Sequence, residues 1–149
     1  MRILILSDSH YRSLEDIKFD EFDYILHAGD YGKTSYTIKD NGIIYVKGNC
    51  DFNGLNEANI KIEDRNVLIT HGHLYDVKYD FTRLLFKGLS SNANYVIFGH
   101  THEPILFVEE GIVFINPGAY QDGYYVIADE HQITFYKDKK VYKNFRRKW

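Results

Sequence analysis

Ile3-Leu4-Ile5-Leu6-Ser7-Asp8-Ser9-His10 opens with four aliphatic residues and turns at once to small and polar ones. An unbroken apolar run of that length reads as a strand buried on both faces. Asp8 and His10 then fall just beyond its end. The same arrangement recurs along the chain. Ala28-Gly29-Asp30 follows the run 24–27, Lys47-Gly48-Asn49 follows 43–46, and Thr70-His71-Gly72-His73 follows 67–70. Gly99-His100-Thr101-His102 follows 95–98, and Asn116-Pro117-Gly118 follows 112–115. Six strands therefore end in Asp, His or Asn, usually beside a glycine that lets the backbone turn sharply.

Working outward, the runs 59–62, 105–108, 124–128 and 132–136 also read as strands, bounded by Gly, Asn or Asp. Val141-Tyr142 forms a hairpin with 132–136, and Lys137-Asp138-Lys139-Lys140 is its charged turn. Three intervals are expected to hold helices. Ser13-Leu14-Glu15-Asp16 has the form of a capping box opening a short helix, and 34–40 is a second candidate. The strongest is 77–87, where Val77, Phe81, Leu84 and Leu85 fall at helical spacing, with Asp76 as N-cap and Gly88 as stop. Strands alternate with helices in the first half, and the second half is mostly strands. That order predicts an α/β sandwich with a parallel-rich part and an antiparallel meander.

The 149 residues suit one domain across 1–149, without repeats, linkers or low-complexity segments. A content of 44% hydrophobic and 26% charged residues excludes a disordered chain. The lone Cys50 excludes an intramolecular disulfide and a cysteine-rich zinc site. No apolar run approaches the roughly 18 residues of a membrane span, and 3–6 is too short for the core of a secretion signal. A cytoplasmic protein without a membrane partner is expected. The net charge of −3 conceals an asymmetry: 137–149 holds seven Lys/Arg and one Asp, whereas 1–136 holds 11 basic and 20 acidic residues. The basic stretch fits the hairpin, and an acidic body repels a phosphate backbone, so nucleic-acid binding is not inferred from it.

In open α/β sheets ligands bind at the carboxyl ends of the strands. With the strands as parallel neighbours, Asp8, His10, Asp30, Asn49, His71, His100 and His102 converge on one edge. Carboxylate, amide and imidazole donors suit first-row divalent metals. Seven ligands exceed what one tetrahedral ion takes, so two ions are the natural reading, and Asp30 has two oxygens with which to bridge them. Without a cation, so polar a cluster would cost on the order of several kcal/mol in unpaired groups.

The ordered set Asp8-x-His10, Gly29-Asp30, Gly48-Asn49, His71 and Gly99-His100-x-His102 resembles the motifs of the calcineurin-like metallophosphoesterases. Gly48-Asn49-Cys50-Asp51 is similar to the small bacterial and archaeal phosphodiesterase branch, and the motifs run from residue 8 to 118. The resemblance implies a four-layer α/β/β/α sandwich of two mixed sheets. It also implies one metal on Asp8, His10, Asp30 and His102, and a second on Asp30, Asn49, His71 and His100, with Asp30 bridging. Two cations would then activate a shared water for in-line attack on phosphorus. The implied activity is a metal-dependent phosphoesterase acting on a small phosphodiester. Mn²⁺ is the first choice of metal, with Ni²⁺, Fe²⁺, Co²⁺ and Zn²⁺ as alternatives. A phosphomonoesterase is a neighbouring reading. So is a protein-interaction scaffold like the small retromer subunit, which is similar in fold but has lost parts of this metal site. All seven candidate ligands are present here, which favours the enzyme. A homo-oligomer is left open.

One position departs from the pattern. Many relatives carry His after the Gly-Asn pair, where this chain has Cys50. A thiol with an unperturbed pKa of about 8.5 substitutes poorly for an imidazole. Catalytic roles are therefore assigned to Asp30 and Asn49, with leaving-group protonation left open among Cys50, His73 and Asp51. Cys50 reads equally well as a space-filling residue, and His73 as a group that orients a ligand or as a structural histidine. Asn116 is expected to hold a loop near the site, with phosphate contact as the weaker reading. His27 is expected in the core and His131 in solvent. Tyr11, Tyr31 and Phe52 either line a substrate cleft or pack.

Overall fold

All ten expected strands form within about two residues of their expected bounds, and an eleventh completes the C-terminal hairpin. The computed structural model describes residues 1–147. Its strands are β1 Ile3–Leu6, β2 Tyr24–His27, β3 Ile44–Tyr45, β4 Glu57–Ile62, β5 Arg65–Thr70 and β6 Tyr95–Ile97. They continue with β7 Ile105–Glu109, β8 Ile112–Asn116, β9 Tyr124–Ala128, β10 Gln132–Lys137 and β11 Lys140–Arg146. The hairpin turn is tighter than expected. Lys137 pairs with Lys140, so only Asp138 and Lys139 turn the chain, both at positive φ. Lys148, part of the basic stretch, lies outside the described residues.

Among the described residues the strands fall into two mixed sheets. One has the order β11-β10-β9-β1-β2-β3, in which β1, β2 and β3 are parallel and the remainder is an antiparallel meander. The other has the order β4-β5-β6-β8-β7, in which β5, β6 and β8 are parallel and β4 and β7 flank them antiparallel. The six parallel strands are the six that carry polar residues beyond their ends. Parallel direction is what brings those loops to one edge of each sheet.

Alternation along the buried strands builds the layers. Ile5 of β1 points between the sheets, where it joins Leu26, Val126 and Phe135 against Ile69, Ile97 and Ile115. Leu4 and Leu6 point outward and pack with Ile25 against Leu14, Ile38 and Ile43. Ile38 comes from α1, Ser35–Asp40, close to the expected 34–40. On the far face of the second sheet, Leu68, Val96 and Phe114 meet Leu84 of α2, Thr82–Ser90. Each such aliphatic side chain contributes about 1.5–3 kcal/mol on burial. The result is the expected α/β/β/α order of layers.

Two helix expectations need correction. Residues 13–16 form a turn, closed by Glu15 N donating to Ser13 Oγ at 3.1 Å and Ile17 N donating to Leu14 O at 3.1 Å. A single 3-10 turn follows at Phe19–Glu21. The helix expected at 77–87 starts five residues later, because Asp76 is left-handed with φ 52° and cannot cap it. Gly88 lies inside α2 rather than ending it. A methyl group there would stand 3.1 Å from Val96 Cγ2 and 3.3 Å from Ile112 Cδ1, so glycine is what lets the helix approach the sheet. No helix among the described residues is long and apolar enough to cross a membrane.

Candidate metal centre

Five of the loop residues singled out in the sequence share an uncommon backbone. Asp8, His10, Asp30, His100 and His102 have φ of 52°, 44°, 58°, 70° and 64°. Such conformations cost about 1–3 kcal/mol each in non-glycine residues and cluster at functional sites. Cross-loop hydrogen bonds hold them there. Asp8 N donates to Gly29 O at 2.9 Å, His10 N to Asp30 O at 3.0 Å, and Gly99 N to His71 O at 3.0 Å. Two glycines leave room for the carboxylates. A methyl on Gly99 would stand 2.0 Å from Ser7 Oγ and 2.6 Å from Asp8 Oδ2, and one on Gly48 would stand 2.1 Å from Asp30 Oδ1.

Each carboxylate is anchored by one oxygen and presents the other to the imidazoles. Asp8 Oδ2 accepts from Ser7 Oγ at 2.6 Å and from His100 N at 3.1 Å. Its Oδ1 faces His102 Nε2 at 3.2 Å, His10 Nε2 at 3.6 Å and His71 Nε2 at 3.8 Å. Asp30 Oδ1 accepts from Cys50 N at 2.9 Å, while Oδ2 faces His71 Nε2 at 3.2 Å and His10 Nε2 at 3.7 Å. These separations are close, yet Asp8 Oδ1, His10 Nε2 and His71 Nε2 are buried without a hydrogen-bond partner. They meet at ion-pairing distance without hydrogen-bond alignment. Buried polar atoms left unpaired call for an explanation, and cations held beside Asp8 would satisfy all three. The donor set fits such ions: Asp8 with His10 and His102, and Asp8 with Asp30 and His71, each offer ligand atoms within 4.8 Å of one another.

The electrostatics follow from the same contacts. Burial opposes ionisation of Asp8 and Asp30, but His102 and His71 beside Asp8, and His71 beside Asp30, outweigh it and hold both carboxyls below their ordinary range. His71 is affected in the opposite sense. Burial lowers its pKa, yet Asp30 and Asp8 raise it overall. His102 is raised chiefly by Asp8. His100 is pushed down to about 4 by burial, then by the charges of His71 and Lys78. His73 is lowered by burial, with the charges of His71 and Lys47 adding to it.

The sequence-predicted residues divide into three groups. Asp8, His10, Asp30, His71 and His102 come together as described. His100 lies alongside, its ring centroid 5.1 Å from that of His71. His73 is 5.4 Å from His71 by the same measure and keeps a buried Nδ1 without a partner. Asn49 is exposed, and its amide donates to Cys50 Sγ at 3.6 Å. Cys50 is exposed, yet its sulfur lies within 4.8 Å of ligand atoms on His10 and Asp30. Burial and the Asp30 carboxylate raise its pKa.

Asp51 is committed to the backbone. Its Oδ2 accepts from Asp30 N at 2.7 Å and Gly48 N at 2.8 Å, and its Oδ1 from Tyr31 N at 3.1 Å. Asn116 is fully buried and ties the 99–101 loop, donating to Gly99 O at 3.1 Å and Thr101 Oγ1 at 3.0 Å. His27 is buried as expected, and His131 is exposed. Tyr31 packs in the core, with its hydroxyl donating to Asn53 O. Tyr11 and Phe52 are instead 80% and 95% exposed. Sequence reading missed Ser7, which is buried and donates to Asp8; a hydroxyl next to a candidate ligand was its only signal.

Comparison with known proteins identifies the family. The chain is 32% identical over 126 residues to the probable metallophosphoesterase YsnB of Bacillus subtilis, covering 80% of this chain and 75% of that one. It is 29% identical over 145 residues to a phosphodiesterase of Methanocaldococcus jannaschii, covering 79% and 83%. A predicted phosphoesterase from Streptococcus pneumoniae superposes with a TM-score of 0.82 at 29% identity over 98% of this chain and 97% of that one. The zinc complex of Vps29 from Entamoeba histolytica shares the fold at 24% identity, TM-score 0.76, over 99% and 98%. A family model for the calcineurin-like phosphoesterase superfamily domain matches residues 1–142. With that match running from the first strand into the last, the chain belongs to the calcineurin-like phosphoesterase superfamily.

Proposed function

We propose that the chain is a divalent-metal-dependent phosphoesterase that hydrolyses phosphodiesters to a phosphomonoester and an alcohol. The observation that carries this reading is that three buried atoms of the cluster lack partners: Asp8 Oδ1, and the His10 Nε2 and His71 Nε2 that lie 3.6 Å and 3.8 Å from it. Kinship with a protein named as a phosphodiesterase favours the diester. In this reading Asp8, His10, Asp30 and His102 hold one ion, and Asp30, Asn49, His71 and His100 the other. Bound divalent cations would neutralise phosphate charge and bring the pKa of water held there towards neutrality. Mn²⁺ is the first metal to supply.

The chain's own groups prepare the site. Depressed pKa values keep Asp8 and Asp30 ionised at neutral pH, so both are ready to bind a cation. His100 stays neutral at that pH and offers a lone pair. Cys50 keeps its proton beside His10 and Asp30, and a raised pKa makes it slow to give that proton up. His73, its pKa lowered by burial, is mainly neutral at neutral pH. Neither is a strong acid, so diesters with easily departing alcohols are turned over best.

The test compares bis-p-nitrophenyl phosphate with p-nitrophenyl phosphate. Chelator-stripped protein is re-supplied separately with Mn²⁺, Ni²⁺, Mg²⁺ and Zn²⁺. Metal-dependent turnover favouring the diester is expected. Silence from folded protein with every metal overturns the reading and leaves a binding scaffold in its place.

A further inference from the structure

Among the described residues, the most exposed aromatic side chains stand in loops that follow candidate metal ligands. Tyr11, 80% exposed, follows His10 directly. Phe52, 95% exposed, is two residues beyond Cys50, whose sulfur lies within 4.8 Å of His10 and Asp30 atoms. Tyr79, 90% exposed, helps to line a cavity of about 400 Å³ together with Lys78, Phe81, Thr101, Glu103 and Ile105. Thr101 sits between His100 and His102, so one wall of this cavity belongs to the loop that carries both histidines. Among the described residues none of the three rings stacks on another aromatic ring.

Lysines alternate with these rings. Lys33 Nζ is 5.6 Å from the centre of the Tyr11 ring, Lys78 adjoins Tyr79, and Lys47 precedes Gly48-Asn49. The charge of Lys47 reaches His73, and that of Lys78 reaches His100 and His102. Among the described residues none of these three lysines is within 4.0 Å of a carboxylate, whereas Lys87 and Lys137 each are. Aromatic platforms interleaved with unpaired cations are the means by which proteins hold single-stranded nucleic acid, with bases on rings and phosphates on lysines.

The geometry points to a phosphodiester flanked by nucleobases as the substrate, its bases laid on Tyr11, Phe52 and Tyr79 around the metal centre. This rests on the phosphodiesterase reading above. An apolar protein surface would match the rings but leave the lysines without counter-charge. An aliphatic diester would use the lysines and leave the rings in water. The cavity falls within the size range of small-molecule sites, and Asp80 and Glu103 among its lining residues offer acceptors for a base N–H group. A base must be unstacked to lie on a ring, which excludes an intact duplex. A dinucleotide and a longer single strand share this chemistry.

The experiment titrates metal-loaded protein against a fluorescein-labelled phosphorothioate hexathymidylate and reads anisotropy. Tyr79→Ala and Phe52→Ala are each expected to weaken binding about tenfold. Lys78→Ala is expected to lower the slope of log affinity against log salt by about 0.7. Phe86→Ala removes an equally large exposed ring on α2, away from the site, and is expected to bind as the unaltered protein does. Competition by dithymidylate as effective as that by the unlabelled hexamer supports the dinucleotide source, and competition by the hexamer alone supports the longer strand. The kcat/KM ratio of dithymidylate over glycerophosphocholine is expected to exceed about tenfold and to shrink in Tyr79→Ala. Unchanged binding in both aromatic variants, or an aliphatic diester processed as well as the dinucleotide, overturns the inference. Hydrolysis of bis-p-nitrophenyl phosphate on the same preparation separates the two claims. If that hydrolysis occurs without ring-dependent binding, only the inference fails; if no metal yields hydrolysis, the phosphodiesterase reading itself fails.

Discussion

His71 donates its Nδ1 hydrogen to the carbonyl oxygen of Ala28 at 2.8 Å, and this bond fixes what the other side of the ring can do. A carbonyl oxygen only accepts, so in the neutral ring the Nε2 lone pair faces Asp30 Oδ2, 3.2 Å away. A lone pair against a carboxylate repels unless a proton or a cation lies between. Metal-loaded protein is therefore expected to melt higher than chelated protein. At a hundredfold excess over Kd the gain is about 2.7 kcal/mol, or about 5–10 °C for a chain of this size. Calorimetry with chelator and with each metal checks it, and a constant Tm throughout speaks against a cation at this position.

Asp30→Asn keeps an acceptor for the Cys50 N–H and removes the charge between His10 and His71. Metal content and diester turnover are expected to fall together, turnover by at least about 100-fold. Metal analysis of the purified variant alongside its kinetics decides the matter. Full activity would remove Asp30 from the centre.

Gly99→Ala tests the close packing behind Asp8. The added methyl would stand 2.0 Å from Ser7 Oγ and 2.6 Å from Asp8 Oδ2. The serine hydroxyl can rotate away, whereas Asp8 is also held by the His100 N–H at 3.1 Å. A stability loss of about 1–3 kcal/mol by urea unfolding is expected, together with weaker metal binding. Unaltered metal affinity would show that Asp8 tolerates displacement.

The strand-end pattern made most of this site legible in the sequence, because a parallel sheet delivers every such loop to one edge. Asp8, His10, Asp30, His71 and His102 meet for that reason. The hydrogen bonds that Asn49 and Asp51 make were not legible. Asn49 turns towards Cys50, and Asp51 turns back to cap the N–H groups of residues 30, 31 and 48. Both outcomes depend on side-chain rotamers that follow from loop closure rather than from residue type. Helix bounds failed where a local signal lost to tertiary contact. Gly88 was read as a stop, yet it is the point where α2 presses on Val96 and Ile112. The left-handed backbone at five site residues was only weakly marked in sequence, since Asp and His are enriched at positive φ but adopt it far less often than glycine.

Cys50→His places an imidazole where the exposed thiol now stands. The thiol holds its proton because burial and the Asp30 carboxylate raise its pKa, whereas an ordinary imidazole gives one up near pH 6.5. Turnover of diesters is expected to be kept or raised, with Tm nearly unchanged since the side chain is exposed. Loss of folding in this variant would assign Cys50 to packing instead.

His27 gives the chelated protein a pH dependence of its own. The ring is fully buried, its Nδ1 accepts from Gly29 N at 3.1 Å, and its Nε2 hydrogen is directed to Ser9 Oγ at 2.9 Å. Both nitrogens are thus satisfied by the neutral form, and burial pushes the pKa from 6.5 down to about 4. The unfolded chain takes up the proton near pH 6.5 and the folded chain only near pH 4. Between those values the unfolded state binds more protons, so stability is complete above the window and falls as the pH drops through it. The full loss is about 3 kcal/mol, of which about 2 kcal/mol is gone by pH 5. His71, with a raised pKa, contributes in the opposite sense, so the comparison is made against a variant that leaves it in place. His27→Asn keeps an acceptor near Gly29 and does not titrate. It is expected to be less stable than the unaltered protein at pH 7.5, with that gap narrowing by about 2 kcal/mol at pH 5 in urea titrations. A gap that stays constant across the window would mean that His27 titrates alike in the folded and unfolded chains.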